Sequence, residues 1–400
     1  MLNEEKIPDT SKELLDLSEE RIFSLGVDDL TSKLSRKNMQ YALGKMMHIL
    51  QDDGVFSVFA PDATITRNKP RWMSGFGYGA VIRWFDENVA FPNVRPNGCG
   101  MLLMKLDQLP SEEELVESAS EVNGTDLRLD DLDIQPDFGK GNHFFEFYEP
   151  KDVSEDASEV LDEDSYYAIV HGSPQELKDD IYGWSDRGVT EDTPLGELDV
   201  LYDGDAKSYY DDCREMADFS EKRREFLAEQ VIGDFEVLSN YNHQGMFSPN
   251  EVRLGCYDSQ GPGDGSLYPV TLRWDEPTYV FRGKENVSEE VMEDLGFLDR
   301  AERLGLKDHL SEINVLPHGG GYKIKLEYDD FEVNGTDFGN VYTLFDSNGG
   351  EDGGEMSNMS ITNPSSLPYT YRGSEVVERT LDLDLGEVEA ELSPVFTLKV

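Results

Sequence analysis

The sequence predicts an α+β fold built from mostly antiparallel sheets with flanking helices. Helical periodicity is confined to residues 10–50, to a long segment near 207–231 and to a short stretch near the C-terminus. Between them lie short alternating apolar runs punctuated by Gly and Pro, the pattern of half-buried strands. Of the 400 residues 38% are hydrophobic and 10% aromatic, enough to build a core. Runs of strands alternating with separate helical stretches point to α+β rather than to a parallel α/β sheet.

Along the chain, "SKELLDLSEERIFSLG" reads as a helix with a Ser cap and a stop at Gly26, and "SRKNMQYALGKMMHIL" carries an apolar stripe. These define an N-terminal helical segment, 1–50, ahead of a larger domain, 51–400. Strands follow in "GVFSVFAPD", "GAVIRWF", "GMLLMKL", "HFFEFYE" and "SYYAIVHG". The acidic segments 111–136 and 150–164 read as surface. After the long helix, strands return in "VRLGCYD", "YPVTLRW", "TYVFRG", "GYKIKLEY" and "NVYTLF", and a helix–strand unit ends at "PVFTLKV". "EVNGTD" occurs at 121–126 and at 332–337. Asn-Gly is a hairpin signal, so both copies are expected to be turns rather than glycosylation sites.

The charge is extreme. Eighty-three Asp+Glu against 35 Lys+Arg give −48. Acids spread over every segment, interleaved with aromatics, fit a folded protein that works in concentrated salt. At about 1 M ionic strength the Debye length is about 3 Å, so self-repulsion is screened. The expected setting is a high-salt cytoplasm, that of a haloarchaeon or its virus. Cys99, Cys213 and Cys256 are odd in number and far apart, which makes no disulfide framework and points to a reducing compartment. No apolar run approaches the ~20 residues that span a bilayer, so no membrane association is expected.

Four histidines and one cysteine stand out. His143 follows a Gly-Lys-Gly turn in "DFGKGNHFFEFYEP", His171 ends a strand in "YYAIVHGS", His243 follows the long helix in "SNYNHQGMF", and His318 precedes three glycines. Cys99 sits between glycines in "PNGCGM". A thiolate with imidazoles is a borderline-soft donor set for Mn, Zn, Fe or Co. Each residue also has a plain structural role open to it: Cys99 as a small buried apolar residue, His143 and His171 as strand-end caps, His243 as a loop donor. His48 and His309 read as core or surface. Strand alternation places His143 and Glu146 on opposite faces.

These stretches resemble the RtcB-type RNA ligases, with gaps, from about residue 61 onward. "APD" resembles that family's Pro-Asp element. "GFGYGAVIRWFDENVAFPNVRPNGCGMLLMKL" is similar to its glycine-rich stretch ending in Asp-x-x-Cys-Gly, and "GKGNHFFEF" to its Gly-Gly-Asn-His-Phe motif. "AIVHGS", "NYNHQ", "YVFRGKEN" and the closing "PYTYRGSEVVERTLDLDLGEVEAELSPVFTLKV" resemble later segments. The resemblance implies an RtcB-like fold around a central metal and nucleotide cleft. It implies two Mn²⁺ ions with Cys99 bridging them and His143, His171 and His243 completing their shells. Asn142 and Glu146 would face the GTP phosphates and sugar, with Asp62, Tyr371 and Lys399 near the guanine. His318 would attack the α-phosphorus of GTP to give His–GMP. GMP would then pass to an RNA 3′-phosphate, from which a 5′-hydroxyl displaces it. RNA ends, either tRNA halves or cleaved RNA, are the implied partners, in tRNA splicing or RNA repair.

Departures from the family pattern are equally specific. Pro96 stands where the family has an Asp ligand, with Asn97 beside it; Thr64 replaces a histidine; the Arg expected after His171 is missing. "LPHGGGY" aligns in two registers, one making His318 the nucleophile and one putting Asn348 there instead. A relative that binds RNA ends or nucleotide without turnover, and a metallo-phosphodiesterase, are therefore the competing expectations. Basic islands occur at 32–37, 67–71, 221–224 and 282–284. The helical ones read as solvated faces, and "RNKPRW" as a loop beside the site.

Overall fold

The computed structural model describes residues 7–399 except 140, 158–159, 262, 264, 327, 337–338 and 347–357. It is a mixed α+β fold with mostly antiparallel sheets. A seven-stranded antiparallel sheet has the order Glu236–Asn242, Gly100–Leu106, Tyr166–Gly172, Phe144–Val153, Gly386–Leu398, Thr278–Gly283, Leu267–Val270. A five-stranded sheet has the order Ile22–Ser24, Phe56–Thr64, Tyr78–Arg83, Glu251–Leu254, Gln244–Ser248. Only its first pair is parallel.

The aromatic strand after His143 shows why it is a strand. Phe145 and Phe147 enter one apolar cluster with Leu102, Val170 and Leu227, while Phe144 and Tyr148 enter another with Leu103 and Ile169. Alternation with period two therefore buries both faces. The long helix, Asp203–Ile232, covers one face of this sheet through Phe219, Leu227, Ala228 and Val231. The helix Leu30–Leu50 packs Met39, Leu43, Met46 and Met47 against Phe59 and Ile82 of the five-stranded sheet. The first fifty residues thus share a core with the strands that follow.

Three expectations are corrected. Ile22–Ser24 is a strand rather than the end of the first helix, because it pairs with Ser57–Phe59 and buries Phe23; the helix stops at Glu19. Asn123-Gly124 terminates a helix, Glu112–Asn123, nucleated by the Ser111–Glu114 capping box. Asn334 and Gly335 lie inside the strand Asp330–Thr336, paired with Val341 and Asn340. Arg223 and Arg224, read as part of a solvated helical face, are buried. Among the described residues no helix is long and apolar enough to cross a membrane.

Candidate metal centre and adjoining cavity

Register brings the donors together. Met101 pairs with His171 and His171 with Phe144 across three adjacent strands. Cys99, two residues before Met101, and His143, one before Phe144, therefore emerge at the same sheet end as His171. His243 is the single residue between the last strand of this sheet, Glu236–Asn242, and the strand Gln244–Ser248 of the other. Its N–H donates to the Cys99 carbonyl at 3.0 Å, and its own carbonyl accepts from Gly255 and Cys256. Gly100 is required by close approach: a Cβ there would lie 2.6 Å from Arg224 Nη1 and from the Tyr241 carbonyl.

Cys99 Sγ lies 3.0 Å from His171 Nε2, which is 3.3 Å from His243 Nε2. Ligand atoms of these three buried residues all fall within 4.8 Å of one another, so the group can hold a metal ion. His143 Nε2 approaches the sulfur less closely, at 3.7 Å, and lies 3.3 Å from Ser173 Oγ. The electrostatics suit a cation. Burial alone would raise the Cys99 thiol, but charge on His171 and hydrogen bonds from His143, His171 and His243 hold it well below the usual thiol range. Burial, with the neighbouring His318, pushes His243 down to about 3, leaving a neutral imidazole. Its Nδ1 is buried and has no hydrogen-bond partner. A metal requires a thiolate and neutral imidazoles, and Cys99 and His243 are held toward those states.

The surrounding hydrogen bonds fix the rings. His171 Nδ1 donates to the Asn142 carbonyl at 2.9 Å. Asp137 Oδ2 holds His143 Nδ1 at 2.5 Å, while its Oδ1 takes Arg223 Nη1 at 3.0 Å. Both arrangements are the outer-shell pattern that orients metal-binding imidazoles. Against the cost of burial, Asp137 and Cys99 hold His143 up to about 9, and Asp137 itself is held well below the carboxylate range.

Asn97 Oδ1 accepts the Cys99 N–H at 3.1 Å, closing the turn that presents the sulfur.

His318 comes from the other sheet's side. Asp62 Oδ2 accepts both its Nδ1–H at 2.6 Å and its backbone N–H at 3.1 Å. Its ring centroid lies 4.4 Å from that of His243. The three glycines that follow allow this approach. A Cβ at Gly319 would sit 2.4 Å from the Thr271 carbonyl, at Gly320 2.2 Å from that of Arg372, and at Gly321 2.5 Å from that of Asp62. Asn348, the alternative nucleophile position, lies outside the described residues.

A cavity of about 220 Å³ opens beside these groups. Cys99, Asn142, Glu146, His171, His318, Tyr371 and Lys399 line it; His143, His243 and Asp62 stand behind the wall. Glu146 lines the cavity, whereas His143, which precedes the strand that begins at Phe144, does not. Burial raises Glu146, whose oxygens accept from Tyr148 Oη at 2.5 Å and Thr397 Oγ1 at 3.2 Å. The wall also carries Arg67, Arg71 and Arg273, so a strongly acidic chain turns cations inward here.

Asp137, Arg223, Tyr322 and Trp274 were not singled out by sequence. Asp137 could have been, since it lies six residues before His143; Arg223 could not, being one of many helical cations. A scan against models of known protein families finds no match, and no curated protein matches the chain.

Proposed function

We propose that the chain is a GTP- and metal-dependent RNA ligase of the RtcB type, joining RNA 3′-phosphate or 2′,3′-cyclic phosphate ends to 5′-hydroxyls. The observation that carries this reading is the placement of His318. It lines the cavity, adjoins the Cys99–His171–His243 group, and has Nδ1 committed to Asp62. Burial opposes charge on His318, but Asp62, Cys99 and the Gly255 backbone raise it; in the neutral ring, with Nδ1–H donated to Asp62, Nε2 carries the lone pair that would attack an electrophile. In this reading the Nε2–phosphorus bond forms as the bond to pyrophosphate breaks. A 2′,3′-cyclic phosphate would first be opened by water to the 3′-phosphate; an RNA 3′-phosphate oxygen next displaces His318 from phosphorus, and a 5′-hydroxyl, losing its proton, finally displaces GMP.

A bound divalent ion, Mn²⁺ in this reading, would neutralise phosphate charge as a Lewis acid. Cys99, His171 and His243 would hold it, with His143 beside the sulfur. Arg67 and Lys399 supply positive charge toward a triphosphate, and Tyr371, Asn142 and Glu146 stand at the same wall. Under this proposal the fold is an RtcB-like arrangement around that cleft, working in a high-salt cytoplasm.

Incubation with labelled GTP and Mn²⁺ in molar KCl tests it. A covalent GMP adduct absent from His318→Ala supports the reading, and wild-type protein that forms no adduct refutes it. The reading of a non-ligating relative draws on one observation: with Pro96 in place of a carboxylate and Asn97 occupied by the turn, a second ion has fewer donors.

A further inference from the structure

We infer that Trp274 is a stacking platform for the terminal base of a single-stranded RNA 3′ end entering the cavity. An isolated exposed apolar side chain is ordinary on a protein surface, but one that lines a cavity is positioned to meet what enters it. Trp274 is 70% exposed, the most exposed large hydrophobic side chain among the described residues, and it lines the cavity that contains His318 and Cys99.

Its loop is held rather than loose. Arg273 grips Asp275 with two bonds of 2.9 Å and reaches Glu276 at 3.2 Å, while Glu276 N–H donates to the Arg273 carbonyl at 3.1 Å. Two residues earlier, Thr271 bridges to Gly319, and its carbonyl accepts from Gly320. The backbone that carries the indole is thereby tied to the glycines beside His318.

The occupant follows from charge and shape. Arg67 and Lys399 in the wall favour an anion inside, and a flat aromatic at the same wall favours a π-face attached to that anion. A nucleotide at a strand end has both. A chain of −48 gains little from phosphate contacts along an RNA backbone, least of all in salt, whereas stacking persists there. This inference rests on the ligase reading of the cavity, and the two fail in different measurements.

The probe is a short oligoribonucleotide bearing a 3′-phosphate, compared with the same strand lacking its terminal base. Trp72, Trp84 and Trp184 are buried, so the solvent-quenchable fluorescence belongs to Trp274. Binding of the intact strand is expected to quench that emission. Trp274→Ala should weaken binding roughly tenfold or more, and Trp274→Phe should restore most of it. Removing the terminal base should weaken wild type by a similar factor and Trp274→Ala hardly further. Equal affinities for wild type and Trp274→Ala, or a loss confined to GTP binding, would overturn the platform even if the GMP adduct forms. A Trp274-dependent affinity without any adduct would keep it and remove the ligase reading. RNA binding absent from wild type overturns it outright.

Discussion

Asp62 holds His318 twice with one oxygen, at 2.6 Å to Nδ1 and 3.1 Å to the backbone N–H. The backbone contact holds the carboxylate in place, so the ring can neither flip nor swing away without breaking the Nδ1 contact, and in the neutral ring Nδ1 carries the proton. Asp62→Asn keeps the shape but removes the negative charge that favours Nδ1–H. Formation of the GMP adduct, followed by single-turnover labelling, should slow about 10- to 100-fold while the far-ultraviolet spectrum stays unchanged.

Metal affinity should follow the geometry of the donors. Substituting Cys99, His171 or His243 removes a member of the three-residue group and should lower Mn²⁺ or Zn²⁺ affinity by more than about 100-fold, beyond the range seen for outer-shell changes. His143→Ala, 3.7 Å from the sulfur, should cost less. Calorimetric titration of each variant gives the order; a larger loss for His143 than for His243 would reverse it.

The metal-free protein should lose stability in mild alkali. Burial opposes charge on His143, but Asp137 and Cys99 hold it up to about 9. Its contribution is complete below about pH 6.5, the ordinary value, and disappears as pH climbs through about 9. That share is on the order of 3 kcal/mol; the raised His318 adds to the decline, while Cys99, held low, gains stability with pH up to the ordinary thiol value and offsets part of it. Asp137 is shifted the opposite way, so its share is lost only in strong acid. Thermal unfolding of chelator-treated protein between pH 6 and 10 should show the decline, and Asp137→Asn should flatten it.

Salt should stabilise the fold. With a net charge of −48, raising KCl from dilute buffer to the molar range shortens the Debye length from about 10 Å to about 3 Å. Melting temperature should rise across that range, in KCl as in NaCl. A flat or falling profile would contradict a protein adapted to concentrated salt.

Gly100→Ala tests the tight packing behind Cys99. The added methyl meets the Tyr241 carbonyl, which is backbone and cannot rotate aside. Denaturant unfolding should show a loss of about 1–3 kcal/mol, together with weaker metal binding.

The strands and the long helix were legible because their periodicity is local. The donors were legible one by one, as histidines and a cysteine in glycine-bearing turns, but their convergence was not. It depends on the pairing of Met101 with His171 and of His171 with Phe144, which no spacing encodes. The turn signal in "EVNGTD" failed at 123–124 because the capping box that starts upstream at Ser111 had already set a helix. Arg223 and Arg224 failed as solvated cations because Asp137, Glu176, Asn240 and Asn242 receive them in the interior. The partners come from distant segments, invisible to a local window.

His243 alone spans the gap between the two large sheets while offering its ring to the metal group. Sliding one sheet past the other would drag that ring out of register with Cys99 and His171. An ion held there therefore acts as a rivet, and chelation should be felt as faster amide exchange along both flanking strands, well beyond the donors themselves.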